Sequence, residues 1–491
     1  MRSIIVVNYP HRWAFNIDGV EVVAARDYLT DAAYSDIRRA KVFNLCRSYR
    51  YQSVGYYVSL LAEARGHKPT PSVATILDMK SQSVVRIASD ELDTLIQGLL
   101  APLQSDRFVL SVYFGKNMAK RYDRLAAKLF NVFHTPFLRA VFTKGKGKGK
   151  KWTLQGVSPV AGADVPEVHI PFVVEAATAY FSRRRKQGLP LKRDRYDLAL
   201  LVDDDEPSPP SNKKALARFV KAAEEVGFAV FPVGKSDYGR LAEYDALFIR
   251  ATTNVNHYTY RFARKAEAEG LAVIDDPSSI LKCANKVFLA ELLTAKKIPT
   301  PPTMIVHRDN AADVAPRLGF PVILKTPDGS FSKGVVKAAN DEQLQAGLVE
   351  MWKTSDLVIA QQFTPTPFDW RVGILDGAPL FVCRYYMAKG HWQIIDNANG
   401  GKREGNAETL AIADAPPRVI RTAVRAAKLI GDGFYGVDLK EIGKRVYVIE
   451  VNDNPNVDIG VEDEVIGDRL YRAVMESFVR RIERKRKGKP S

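Results

Sequence analysis

The stretch VIEVNDNPN, Val448 to Asn456, reads as a strand and its ending. Apolar residues alternate with Glu450 and Asn452, and Asp453, Asn454 and Pro455 then stop the ladder. A period of two points Glu450 and Asn452 to one face, with Ile449 and Val451 behind them. Just upstream, GVDLKEI is a second strand, and the two form a hairpin. An odd-numbered loop, Gly443-Lys444-Arg445, would set Asp438 across from Glu450. Two carboxylates and an amide oxygen, with neither histidine nor cysteine, suit Mg²⁺ or Mn²⁺, which take hard oxygen ligands and keep positions for phosphate and water. An acidic hairpin rim is the plainer reading of the triplet alone.

Outward from this hairpin, the 491 residues are 46% apolar, enough for two or three domains with their own cores. No run approaches the length of a membrane-spanning helix, and Ile4 to Val7 is too short for a signal-peptide core. The expectation is a cytoplasmic protein with no membrane partner. Cys46, Cys283 and Cys383 lie far apart, which argues against a disulfide framework and a structural zinc site. A formal charge of +16 favours an acidic partner. Part of the excess sits in three runs, Lys144 to Lys151, Arg183 to Lys186 and Arg481 to Lys489, which read as solvated linkers or a tail.

A composition shift at residues 183 to 196 marks a domain boundary. After it, YDLALLVD, AVFPV, YDALFIR and LAVID alternate with helical stretches, as in a small doubly wound sheet. Arg250 ends one of these strands, where ligands of open α/β sheets tend to bind, and is a candidate substrate residue; a surface arginine is the bland alternative. No internal repeat is apparent. From Asn285 a helix leads to FPVILKTPDGSFSKGVVKA, two strands joined by a loop of small and hydroxylated residues able to fold over polyphosphate. Lys325 strengthens that reading, because a lysine closing a buried apolar run needs an anion to meet it. LVIAQQF runs into a proline-broken hinge. FVCRYYMA follows and carries Arg384, a second candidate substrate residue. His391 has no second histidine at metal-ligand spacing. GDGFYG, Gly431 to Gly436, matches G-x-G-x-x-G but follows a helix and precedes a strand, so it is a helix stop and turn. P-loop, G-x-S-x-G and H-E-x-x-H motifs are absent.

The ordered set Lys286, Lys325 with its loop, QQF, Asp369 and Arg371, Asp438 and EVN resembles the ATP-grasp superfamily, most closely its RimK-like glutamate ligases, over roughly residues 196 to 480. The resemblance implies a mixed α/β and α+β architecture. An α+β N-terminal extension (1–190) precedes a small doubly wound pre-ATP-grasp domain (196–283), two α+β lobes that grip ATP (284–480) and a basic tail (481–491). It also implies roles: Lys286 and Lys325 on the phosphates; Ser330, Ser332, Lys333 and Gly334 in the covering loop; Gln361, Gln362 and Phe363 at adenine; Asp369 on the ribose. Asp438, Glu450 and Asn452 would hold two magnesium ions, and Arg371 would meet the transferred phosphate, with Lys325 beside it in catalysis. Gln362 departs from the glutamate of many relatives. The implied chemistry is ATP-dependent joining of a carboxylate to an amine (an amino acid, peptide or protein terminus) through an acyl phosphate, in a homo-oligomer. A phosphotransferase on the same fold and a non-catalytic module binding ribosome or nucleic acid are the alternatives. In the first domain, Val54 to Gly66 has an apolar helical face, and Tyr49, Tyr51, Tyr56 and Tyr57 read as core, with an acceptor site as the alternative.

Overall fold

The computed structural model describes residues 2–13, 15, 17, 19–37, 39–145, 151–185, 195–328, 334–396 and 403–487. The chain separates into two units: residues 1–191 with 236–243, and residues 192–235 with 244–491.

The first unit opens with a four-stranded sheet, β1 (Arg2–Val7), β2 (Glu21–Ala24), β3 (Ala40–Asn44) and β4 (Lys68–Thr70), in the order β2-β1-β3-β4, all parallel. Helices α1 (Ala25–Thr30), α2 (Ala32–Ser35), α3 (Val54–Ala64) and α4 (Val73–Asp78) connect and follow the strands. A three-stranded antiparallel sheet follows, β5 (Arg107–Tyr113), β6 (Phe137–Lys144) and β7 (Trp152–Pro159), accompanied by α5 (Gln82–Glu91), α6 (Asp93–Leu100), α7 (Asp123–Val132) and α8 (Ile170–Arg185). Segment Ser236–Glu243 belongs to this unit for a polar reason. Glu243, 2% exposed, accepts from Lys41 at 2.8 Å, from Arg240 at 3.1 Å and from the Tyr180 hydroxyl. A buried carboxylate needs such partners.

The second unit begins with β8 (Tyr196–Leu201), β9 (Phe228–Val233), β10 (Ala246–Ile249) and β11 (Ala272–Ile274), parallel and ordered β9-β8-β10-β11, with α9 (Lys213–Glu225), α10 (Tyr258–Ala268) and α11 (Pro277–Ala284). This is the doubly wound sheet that the alternation of strands and helices predicts.

The two parallel sheets repeat one another, against the expectation of no internal repeat. Their strand order is the same, and Ile4↔Val42 and Val6↔Asn44 in the first match Leu198↔Ala246 and Leu200↔Phe248 in the second. Helices α3 and α10 have equal length and equal spacing to the next strand. Ala-Glu-Ala, Ala62–Ala64 and Ala266–Ala268, closes each, followed two residues later by Gly66 and Gly270, both at positive φ. Ser72 and Asp276 then cap the next helix at corresponding places. So few identities, spread over long loops of different composition, leave no visible repeat in the linear chain.

Two lobes complete the unit. After α12 (Lys286–Ala295), strands β12 (Thr303–Val306), β13 (Val322–Lys325), β14 (Val335–Ala338) and β15 (Val358–Gln362) form an antiparallel sheet β12-β15-β13-β14, with α13 (Val314–Leu318) and α14 (Asp341–Met351). Then β16 (Phe368–Leu375), β17 (Ala378–Tyr386), the short β18 (Ile395–Asp396) and β19 (Arg403–Glu404), β20 (Ala407–Leu410), β21 (Phe434–Ile442) and β22 (Arg445–Asn452) supply the sheet β20-β17-β16-β21-β22. Helix α15 (Pro417–Ile430) packs on one face of that sheet, against Trp370, Val372, Ile374, Val437 and Leu439. GDGFYG runs from the end of α15 into β21: Gly431 to Gly433 are the helix stop and turn, and Phe434 to Gly436 open the strand.

The C-terminal helix α16 (Asp468–Arg486) corrects the expected tail. Ile482 is 5% exposed, Arg481 pairs with Asp376 at 2.8 Å and Asp432 at 3.0 Å, and Lys485 donates to the Leu271 carbonyl at 2.6 Å. The basic residues from Arg481 to Arg486 are the polar side of a packed helix. Charge density concealed the apolar positions between them.

Candidate active site

The site is built on the outward-facing side of β16, β21 and β22, opposite α15. Alternation decides its members: Asp369 and Arg371 on β16, Asp438 and Lys440 on β21, Glu450 and Asn452 on β22 share this face. Asp438 stands directly across from Glu450, as the hairpin expectation requires, but by another route. The turn holds two residues, Gly443 at φ +58° and Lys444, and pairs Ile442 with Arg445. That register alone would oppose Asp438 to Ile449. A bulge inserts Ile449 as the extra residue, so that pairing shifts between Leu439↔Val448 and Asp438↔Glu450.

Each carboxylate of the hairpin already faces a cation. Arg371 grips Asp438 with its fork, Nε to Oδ1 and Nη2 to Oδ2 at 2.8 Å, and its guanidinium lies 5.1 Å from the Tyr385 ring centre. Lys286 at the start of α12 meets Glu450 at 3.2 Å. Burial pushes the Asp438 carboxyl above the usual range although Arg371 opposes it. Burial acts on Glu450 in the same sense, but the charges of Lys286 and Lys325 outweigh it and hold this group below its ordinary value. Asn452 donates through Nδ2 to Asp438 at 3.2 Å. Among the described residues no cluster of three or more His, Cys, Asp or Glu is arranged to hold a metal. A divalent ion here would rest on Asp438, Glu450 and the amide oxygen of Asn452, and these hard oxygens on one face fit magnesium or manganese, which would supply positive charge to polyphosphate oxygens.

Lys325 closes β13, as the sequence suggests. Its ammonium donates to Gln361 Oε1 at 2.9 Å, and Gln361 in turn donates to Thr303 at 2.9 Å. Burial, with Lys286 and Lys440 nearby, brings its pKa down to about 8, so this cation is poorly compensated and suited to an anion. The start of α12 docks beside it: the Lys286 N–H donates to the Pro327 carbonyl at 2.8 Å, and Asn285 caps the helix through the N–H groups of Val287 and Phe288. Ser330, Ser332 and Lys333 of the covering loop lie outside the described residues. Its far end, Gly334, is at φ +73°, hydrogen-bonds to Thr326 and leaves no room for a side chain, since a Cβ would meet Thr326 Oγ1 at 2.3 Å.

At the hinge, the N–H groups of Gln362 and Phe363 donate to the carbonyls of Pro302 and Pro321, and the Gln362 side chain donates to Leu318. These backbone donors are used within the protein, which limits what this stretch offers adenine. A cation–aromatic group escaped the sequence reading: Lys337 Nζ lies 3.9 Å from the Phe363 ring centre, and Trp392 meets Phe363 edge-on at 5.9 Å. Asp369 is likewise engaged, by Lys440 at 2.5 Å and Thr366 at 3.0 Å. Lys440 was legible in principle, two residues after Asp438 and therefore on its face.

Two candidate substrate residues are not in the site. Arg384 pairs in register with Trp370, on the α15 side of the sheet, where it spans the Trp370 and Phe368 rings at 4.9 and 5.1 Å and reaches Glu408 at 3.2 Å. The residue beside Arg371 is its neighbour Tyr385. Arg250 is 1% exposed and donates to Asn454 at 2.7 Å, Pro210 at 2.5 Å, Ser211 at 2.8 Å and Pro455 at 3.0 Å. It clamps the chain beyond Asn452, because a buried guanidinium must spend its donors on protein acceptors.

The description "RimK-like ATP-grasp domain" matches residues 283–467, and "RimK-like ATPgrasp N-terminal domain" matches residues 25–176. The alpha-aminoadipate–LysW ligase LysX of Saccharolobus solfataricus is 31% identical over 197 residues, covering 38% of this chain and 68% of that protein. The corresponding ligase of Sulfolobus acidocaldarius is 28% identical over 254 residues, covering 48% and 87%. A probable alpha-L-glutamate ligase of Maridesulfovibrio salexigens is 26% identical over 230 residues, covering 45% and 72%. With these cations and carboxylates gathered at one sheet face, the matches show that the chain belongs to the RimK-like ATP-grasp ligases.

Proposed function

We propose that the protein joins an amino acid, glutamate being the leading candidate, to a peptide or protein end, with ATP converted to ADP and phosphate. The observation that carries this reading is the gathering of Lys286, Arg371, Asp438, Glu450 and Asn452 on one face, with Lys325 electrostatically coupled to Glu450. An amino-acid substrate is supported by relatives that are ligases of alpha-aminoadipate to LysW or of alpha-L-glutamate.

In the reaction a substrate carboxylate oxygen attacks the γ-phosphorus of ATP and ADP leaves. The amine then attacks the acyl carbon, phosphate departs with the carboxylate oxygen, and the amine gives up a proton. Lys286 and Lys325 hold the polyphosphate. Arg371, released from Asp438, forks the phosphoryl oxygens as charge shifts onto them, a task for which lysine lacks the planar geometry. Positioning and charge neutralisation supply most of the acceleration in such transfers.

Hydroxylamine offered in place of the amine tests the reading. With ATP, Mg²⁺ and glutamate or a peptide carboxylate, the protein should yield a hydroxamate. Asp438→Asn and Glu450→Gln should each lower its formation by about 100-fold or more while melting close to wild type. A stable phosphorylated product without hydroxamate would establish a phosphotransferase instead.

A further inference from the structure

The repeated parallel sheet gives the first unit a topological switch point of its own. In an open α/β sheet, ligands bind beyond the carboxyl ends of the strands, where the order reverses and successive connections leave for opposite faces. In the order β2-β1-β3-β4 that point lies between β1 and β3, and two loops meet there: Asn8 to Trp13 after β1, and Leu45 to Ser53 after β3. They are tied together. The Leu45 N–H donates to the Val6 carbonyl at 2.9 Å and the Arg47 N–H to Asn8 Oδ1 at 2.7 Å. The second loop is further braced by Ser53 Oγ on the Ser48 carbonyl at 2.8 Å, and Gly55 packs so closely that a Cβ would sit 2.4 Å from Ser48 O.

What these loops present is cationic and aromatic. Neither contains an acidic residue, whereas the loop after β8 in the second copy reads Asp203-Asp204-Asp205-Glu206. Arg47 and Arg50 are exposed, and among the described residues neither guanidinium has a carboxylate within 4 Å. Lys80 adds a third cation, its ammonium 2.6 Å from the Tyr49 carbonyl. Of the tyrosines, Tyr49 is buried with its hydroxyl on the Asn44 carbonyl, in keeping with a core role. Tyr51 is 70% exposed and Tyr57 37%, and Tyr56 joins them edge-on, at 5.2 and 5.7 Å. Leaving a tyrosine ring so exposed beside unpaired guanidiniums favours recognition of an anionic partner through forked hydrogen bonds and ring contact.

We propose that the loops at the carboxyl ends of β1 and β3 form a second ligand site that docks an acidic polypeptide through Arg47, Arg50, Lys80 and the Tyr51–Tyr57 rings. A carboxylate-bearing peptide fits better than a nucleic acid, because the patch is small. The same unit exposes Asp27, Asp31 and Asp36 on and beside α1 and α2, and a long polyanion would meet their repulsion. The proposal stands apart from the reading of the catalytic site, since binding requires neither ATP nor turnover.

Fluorescence anisotropy of the full chain with a dye-labelled ten-residue Glu-rich peptide, without nucleotide, tests it. Arg47→Ala/Arg50→Ala should weaken binding at least tenfold, and so should Tyr51→Ser at least threefold. Arg261→Ala/Arg264→Ala, which removes the same charge from exposed positions of α10, should change it less than twofold. All variants should melt within a few degrees of wild type and form hydroxamate from the carboxylate substrate at the wild-type rate. Equal loss in both arginine doubles would reduce the effect to net charge and overturn the site. Absence of peptide binding, or tight binding of a single-stranded RNA oligonucleotide with no peptide binding, would overturn the assigned partner.

Discussion

Lys325 ends a buried strand with its ammonium against one amide oxygen, and its pKa of about 8 makes its charge depend on pH within an accessible range. An unfolded lysine titrates near 10.4, so between about pH 8 and pH 10 the unfolded chain binds the extra proton. The contribution of this group to stability therefore rises as pH increases through that window, and its penalty is fully present below pH 8. Lys325→Met should be more stable than wild type at pH 6, by on the order of 1–3 kcal/mol, and the advantage should fade by pH 10. Melting curves at the two pH values check this. The same pKa has a consequence for binding. Polyphosphate restores the charged form, so ATP binding at pH 8.5 should take up a proton, whereas at pH 6.5 it should not. Calorimetry in buffers of different ionisation enthalpy reads the proton count directly.

At the scale of elements, α16 and the β21–β22 hairpin show how local pattern and tertiary contact divide the work. The last turns of α16 carry Arg481 on Asp376 and Asp432, Ile482 in the core and Lys485 on the Leu271 carbonyl. Truncation after Arg480 should therefore lower the melting temperature by roughly 5 °C or more, and Ile482→Ala alone should cost about 2–4 kcal/mol. In the hairpin, Gly443 sits at φ +58°, where a side chain is strained, so Gly443→Ala should cost about 1 kcal/mol in denaturant titration. The bulge at Ile449 is what reconciles a two-residue turn with the Asp438–Glu450 pairing. Deleting Ile449 would remove the bulge while Val448 still faces Leu439, so Glu450 and Asn452 would keep the face of Asp438 in a regular ladder and hydroxamate formation should survive; loss of the product would show that the bulge itself shapes the site.

For the molecule as a whole, charge is distributed by unit. Lys144 and Lys151 bracket the connection between β6 and β7, where the Gly145 N–H meets the Lys151 carbonyl at 2.9 Å. This places the lysine-rich run in the first unit, while the candidate site belongs to the second. Replacing Lys146, Lys148 and Lys150 with serine should leave hydroxamate formation from the carboxylate substrate within twofold of wild type at both about 50 and about 300 mM salt, where the Debye length is about 14 and about 6 Å. Loss of small-substrate turnover at both would mean that the run acts on the chemistry itself. No helix among the described residues is long and apolar enough to cross a membrane.

Local alternation is enough to say which neighbours along a strand share a face. In VIEVN the last residues alternate, so Glu450 and Asn452 had to emerge together, and Lys325 had to end a buried run, because side-chain direction in a strand is a local property of the backbone. Register, partners and burial are not local. Tertiary structure alone decided that a bulge rather than a longer loop sets Asp438 against Glu450, that Arg371 holds Asp438 and Lys440 holds Asp369, and that Arg384 belongs to the opposite face. It also turned Arg250 inward and revealed the repeated parallel sheet, since both depend on which distant segments supply acceptors and neighbours. A buried guanidinium and an exposed one are spelled the same way, and only the fold supplies the carbonyls that tell them apart.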